Sequence, residues 1–345
     1  MIVYYLIYVC LFVFAINNHV KPSKIYLIPL GILLILFAGF RGPNVSSDFE
    51  TYKDYYELVR PSSEYLPFSF IEPSFVIFSK IFPYLRFVIL AYAVLSVCIK
   101  LFAFEKLTPF VFYSVALWFS HFFLVLEMNQ IRVGVAIGLL LLSIPSIVKR
   151  NHYQYVGLVF LAFLFHYSAI IFLPVYILNT NKVPVIYFYV IPAAYLLHFL
   201  GIGLIEVVGK LPIPQLQGKM ESYRSLYEMG SYVKINVYNP VILLRVGLIY
   251  IFLFNWRYLA SKNENFVVMI QILVISIVSM LLLASLPAFG LRISDLFGSV
   301  EIILLPLLFN LIKEKYWVVL FLFIFGFLIM SIDLLYNQFL EPYSF

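Results

Sequence analysis

Hydrophobic and polar positions alternate along this chain in long blocks rather than residue by residue. Apolar runs of roughly 16–23 residues recur, each long enough to cross a ~30 Å hydrocarbon core as a helix. They predict helices over 2–16, 25–40, 87–104, 110–126, 133–148, 183–205, 240–256, 266–286, 296–312 and 317–335. Only elements that satisfy their own backbone hydrogen bonds survive in lipid. The pattern therefore predicts an all-α polytopic integral membrane protein of about ten transmembrane helices. The first run has no basic lead-in and no small-residue cleavage pattern, so it is read as a helix rather than a signal peptide.

Two stretches fit less simply. Residues 71–85 are apolar but interrupted by Lys80 and Pro83, which places them in or dipping into the membrane interface. Residues 153–178 carry polar Phe165-His166-Tyr167-Ser168 at their middle. Loop charges decide how to read them. With Lys21 and Lys24 in the cytoplasm, loops holding Lys100, Lys106, Lys149 and Arg150 fall on the same side. A single span over 153–178 would then mis-sort Lys182, Arg257, Lys262, Lys313 and Lys315. Two half-length helices meeting at His166 return them all to the cytoplasm, so a re-entrant helical hairpin is expected. Irregular backbone at that depth needs protein or a wet cavity around it.

This topology collects the unusual polar residues on one face of the membrane. It places 41–86, 127–132, the His166 turn, 206–239, 287–295 and the C-terminal tail together on the non-cytoplasmic side. The first of these is the most concentrated. After a charge-free run that ends at Phe40 come Arg41 and then a crowd of acids and aromatic rings between Asp48 and Tyr56.

Composition agrees with the pattern and narrows it. The chain is 63% hydrophobic and 12% charged, with a mean hydropathy of +1.00, which leaves no soluble domain. One transmembrane domain over 1–345 is expected, with non-cytoplasmic loops 41–86 and 206–239. The net charge of +6 sits mostly in loops, where it sets topology and favours anionic lipid headgroups. It is not a nucleic-acid signature. Cys10 and Cys98 lie in apolar runs and read as buried small hydrophobes.

Candidate chemistry follows from the polar residues. Arg132, in EMNQIRVG, offers a planar fork suited to phosphate oxygens, with Gln130 beside it. A snorkelling boundary arginine is the plainer reading. Arg292 follows Pro287 and Gly290, read as breaking the preceding helix, in PAFGLRISD, where an Arg292–Asp295 pair capping helix 296–312 is the alternative. Arg245, Glu301 and Asp333 are intramembrane charges. A structural pair of Arg245 with Glu301 or Asp333 competes with a functional role. His166 beside a helix break is a candidate proton acceptor, against a neutral, hydrogen-bonded histidine. Asp48 and Tyr52 share one helix face, and Glu72 precedes Pro73 where a helix cap is the plainer reading. No metal-ligand spacing and no Gly-rich phosphate loop is present, so no cofactor is expected.

Taken in order, these elements resemble the EpsG-like branch of the Wzy-type polysaccharide polymerases. The matching residues are Arg41, Gly42, Asp48 and Tyr52, then Glu72-Pro73-Ser74-Phe75, then Gln130-Ile131-Arg132 ahead of Gly134 and Ala136. Phe165-His166-Tyr167-Ser168-Ala169 and a late Arg292 complete the series over about residues 35–300. Two departures stand out: Ser46-Ser47-Asp48 replaces the usual Gly-Thr-Asp, and Asp48-Phe49 the usual Asp-Tyr. The resemblance implies a metal-independent membrane glycosyltransferase on the outer face of the bacterial inner membrane. Such an enzyme joins undecaprenyl-diphosphate-linked oligosaccharide units, with a flippase and a chain-length regulator as partners. On that basis Arg132, Arg292, Arg41 and Arg245 are expected to hold the diphosphate. His166 is the expected base, with Asp48 or Glu72 as the alternative. Tyr52, Tyr223, Tyr227 and Gln130 are expected against sugar. An O-antigen ligase and a transporter or flippase of lipid-linked sugar remain the rival readings.

Overall fold

The computed structural model describes residues 1–19, 24–61, 71–203 and 235–344. The described residues are helical, and their only strand-like feature is an isolated antiparallel bridge between Ser46 and Leu340. They form two compact units, Met1–Tyr176 with Ile302–Phe345, and Ile177–Glu301.

The first unit begins with α1 (Ile2–Asn17) and α2 (Leu27–Gly39). Two short helices follow, α3 (Phe49–Val59) and α4 (Pro73–Ile81), the second lying within the stretch expected at the interface. The long helix α5 (Leu85–Leu107) leads into α6 (Val111–Trp118), which continues as a π-helical segment, Phe119–Glu127. Next come α7 (Ile131–Val148) and α8 (His152–Phe165), then a 3₁₀ segment, Tyr167–Ile177. α5 is the central post, packed against both α2 and α7. Small residues allow the close approach: a Cβ at Gly39 would stand 2.5 Å from Leu90 Cδ1, and one at Gly31 2.9 Å from Leu101 Cδ1.

The break at His166 is as expected. Its backbone is extended (φ −155°, ψ 120°), and the chain doubles back along α8. The Tyr155 hydroxyl donates to Phe172 O, and Arg150 Nη1 donates to Tyr176 O at 2.7 Å.

In the second unit, α9 (Val190–Phe199) and α10 (Pro240–Phe254) accompany the short α11 (Trp256–Ala260) and α12 (Phe266–Leu282). Helix α13 (Pro287–Gly298) packs on α12. Asn239 caps α10 by accepting from Ile242 N at 3.0 Å. The short α14 (Glu301–Leu304) leads back to the first unit, where α15 (Lys315–Ser331) runs into a π-helical turn, Ile332–Tyr336.

Among the described residues, three helical stretches are long and apolar enough to cross a membrane: Leu85–Leu107, Ile131–Val148 and Lys315–Tyr336. The other expected spans hold apolar helices of 10–17 residues, except 296–312, which is the end of α13, a four-residue helix (Glu301–Leu304) and a 3₁₀ segment, Leu305–Asn310. Large apolar side chains face outward, as Ile2, Leu6, Val9, Val13 and Ile16 do along one side of α1. That arrangement suits lipid rather than water.

Several expectations change. Lys100 is no loop residue: it lies inside α5 and is buried. Residues 287–295 form most of α13, because Pro287 at its first position starts a helix rather than ending one. Arg292 and Asp295 thus lie inside that helix and cannot cap one starting at 296. Among the described residues of the predicted span 183–205, the helical structure is a 3₁₀ turn, Val185–Phe188, followed by α9. Cys10 and Cys98 are exposed, on outward faces of α1 and α5.

Candidate functional site

One end of the first unit gathers Arg41, Asp48, Tyr52, Glu72, Arg132 and His166. Each is brought there by a local device. Pro73 at the first position of α4 leaves Glu72 as its extended N-terminal flank (ψ 147°). The Glu72 side chain caps nothing in α4, so its carboxylate is free to turn across the unit. Gln130, partly exposed, is the N-cap of α7, which puts Arg132 in the first turn. A cation there opposes the helix dipole and needs an anion. Glu72 supplies it. The helix break supplies His166 at the C-terminal cap of α8.

Glu72 is the joint of the site. Its Oε2 accepts from Arg132 Nη1 and its Oε1 lies 2.8 Å from His166 Nδ1. Both oxygens are engaged and the residue is buried. The Arg132 guanidinium is also boxed by rings, 5.3 Å from the Tyr52 centroid, 5.4 Å from Tyr55 and 5.8 Å from Phe75. The floor beneath is fixed by Ser74 Oγ and the Tyr92 hydroxyl at 2.7 Å, and by Tyr167 donating to Ile71 O at 3.2 Å.

A second joint positions Asp48. Asn129 Oδ1 accepts from Ser46 Oγ (2.7 Å), Ser47 Oγ (3.3 Å) and Asp48 N (3.1 Å). The turn before α3 is thereby tied to the turn before α7. Arg41 lies within electrostatic reach of Asp48 and Tyr52, and burial pushes its pKa down to about 10, so it stays a cation at neutral pH.

A buried pair lies under the same turn. Lys100 Nζ donates to Glu127, to Gly134 O at 2.7 Å and to Ser96 Oγ at 3.0 Å, while Ser96 Oγ donates to Glu127 Oε1 at 2.7 Å. Elsewhere in the unit His121 Nδ1 meets Asp333 Oδ2 at 2.6 Å, and Asn337 donates to Asp333 Oδ1 at 3.2 Å.

The EpsG family model matches residues 24–345. The chain belongs to the EpsG family. Amylovoran biosynthesis protein AmsC of Erwinia amylovora is 23% identical over 204 residues, covering 52% of this chain and 53% of AmsC. The chain thus matches about half the length of that relative. No solved structure matches.

In this EpsG-family protein the expected site residues divide. Arg132, His166, Glu72, Asp48, Tyr52 and Arg41 come together in the first unit. The Tyr52 ring, expected against sugar, is buried on Phe75 under Arg132. Arg245 and Arg292 belong to the second unit, where Arg245 pairs with Glu301 at 3.1 Å and Arg292 is exposed on α13. Tyr223 and Tyr227 lie outside the described residues. Sequence reasoning missed Asn129, Tyr55 and the Lys100–Glu127 pair. Two opposite charges in adjacent apolar runs were the available signal for that pair.

Proposed function

We propose that this protein polymerises undecaprenyl-diphosphate-linked oligosaccharide units into polysaccharide, from the outer face of the bacterial inner membrane. The observation that carries the reading is Glu72 bridging Arg132 and His166. Membership of the EpsG family and the likeness to an amylovoran biosynthesis protein support a polysaccharide-forming role.

In this mechanism His166 takes the proton from an acceptor sugar hydroxyl through its second ring nitrogen. The hydroxyl oxygen attacks the anomeric carbon of the donor, and the bond from that carbon to the diphosphate oxygen breaks. The electron pair leaves on the diphosphate. Glu72 fixes the imidazole and stabilises its protonated form. Because both its oxygens are engaged, Glu72 positions the base and is not itself the base. Positive charge gathered at this end stabilises the charge developing on the leaving group.

The test is elongation of synthetic lipid-linked repeat units by the purified protein in nanodiscs, with no energy source. Ladders longer than two units are expected, and His166→Asn should cut their rate by about 10²-fold or more. Transport of intact units without new glycosidic bonds would overturn the assignment. So would transfer to a lipid A core alone, the signature of a ligase.

A further inference from the structure

Arg41 is the residue the base dyad leaves unexplained. Its Nη1 donates to Ala38 O at 2.6 Å, which closes the end of α2. Its Nε and Nη2 are buried and have no hydrogen-bond partner among the described residues. The residue is 3% exposed. These two nitrogens form one edge of the guanidinium, the edge whose parallel N–H bonds match two oxygens of one phosphate. A charged fork held away from water with its donors unmade is costly to a fold, and an oxyanion removes the cost.

What buries Arg41 is equally specific. Residues 340–344 cross the Arg41–Ser46 segment and pair with it through backbone groups. Gly42 N donates to Ser344 O at 2.7 Å, and Glu341 N donates to Val45 O at 3.0 Å, beside the Ser46–Leu340 bridge. Tyr343 stacks on Phe37 with centroids 4.3 Å apart and planes at 9°, and its hydroxyl donates to Phe37 O at 3.0 Å. The Tyr4 hydroxyl holds Glu341 O at 3.0 Å. Tyr343, Tyr4, Tyr52 and Asp48 all lie within electrostatic reach of Arg41. Few backbone bonds and one stacked ring are enough to close such a strap, and few enough to let it lift.

We propose that the Nε/Nη2 edge of Arg41 is a bidentate subsite for one phosphate group and that residues 340–344 are its cover. Arg132, already committed to Glu72, then orients the base while Arg41 takes the phosphate. Naming that phosphate as part of a lipid-linked diphosphate rests on the polymerase reading.

The test is phenylglyoxal modification of Arg41, read by mass spectrometry on the full chain in nanodiscs of neutral lipid. Tyr343→Ala should raise the modification rate at least fivefold. Glu341→Pro, which removes the N–H that Val45 accepts, should act likewise and serves if the first variant does not fold. In the uncovered variant, inorganic pyrophosphate should slow modification at least fivefold. Undecaprenyl diphosphate in the disc should do the same, and undecaprenol should not. Protection by pyrophosphate alone keeps the subsite but assigns it to free phosphate. Protection by neither overturns the subsite, and modification unchanged in both strap variants overturns the cover. Failure of chain elongation with protection intact would remove the polymerase reading and leave the subsite standing.

Discussion

Two buried glutamates in the first unit, Glu72 and Glu127, have similar partners that differ in how open they are to solvent. Each meets a basic side chain and a second polar group. Glu127 is 0% exposed at its side chain and its partner Lys100 1%, and three of the bonds around them return to Ser96 and the Gly134 carbonyl. Everything there points inward. Glu72 is 5% exposed, but its partners Arg132 and His166 are each 17% exposed. A carboxylate buried behind two partly open partners can pass its charge to something outside. If Glu72 serves the proposed chemistry and Glu127 only the fold, the exposure of their partners separates the two roles better than burial of the acid does.

The comparison breaks first at Lys100. Lys100→Met leaves the Glu127 carboxylate buried with its main partner gone, and should cost about 3–5 kcal/mol. The expected readout is a steep fall in thermal midpoint and in yield of folded protein in detergent. Adding Glu127→Leu should restore most of it, since replacing both partners of a buried pair with apolar groups is often neutral. If Lys100→Met keeps wild-type stability but loses elongation, the pair belongs to the chemistry and the contrast with Glu72 fails.

Glu72→Gln is the matching change at the open site. The amide retains an acceptor for His166 Nδ1 but loses the negative charge that stabilises the protonated imidazole. Elongation should fall by about 10²-fold. The thermal midpoint should fall less than in Lys100→Met, because Arg132 keeps its ring contacts with Tyr52, Tyr55 and Phe75 and partial exposure to solvent. A loss of stability equal to that of Lys100→Met, with turnover per folded molecule unchanged, would make Glu72 a structural residue as well.

How much of this was legible in the sequence depends on the range of the interaction. Block hydrophobicity located α1, α2, α5, α7 and α15 to within a few residues, because an apolar helix in lipid needs only its own backbone and an outward apolar face. The break at His166 was legible because loop charges constrain topology globally. What failed was local syntax with two meanings. Pro287 and Gly290 read as helix breakers, whereas Pro287 opens α13. Lys100 read as a loop cation, since nothing in its own run reveals an acid that arrives 27 residues later. The site was legible as a list, with Arg41, Asp48, Glu72, Arg132 and His166 all named. Its wiring was not, because which arginine meets which carboxylate is decided by helix packing.

Asn129 lies in sequence between Glu127 and Arg132. One oxygen of this amide holds Ser46, Ser47 and the Asp48 amide, so it couples the α3 turn to the turn that carries Arg132. It is buried, as a purely structural residue is, yet what it organises is the site. Asn129→Ala leaves those donors without their acceptor, a loss of about 1–3 kcal/mol if they stay buried. Ser47 is exposed and recovers water, so the smaller value is expected. Asn129→Asp keeps the acceptor in place and should retain most of the stability. If the residue serves only packing, turnover per folded molecule will be unchanged in both variants. If it aligns Asp48 with Arg132, Asn129→Ala will lower turnover several-fold beyond its effect on folding, and Asn129→Asp will recover part of it. That split places Asn129 with Glu72 rather than with Glu127.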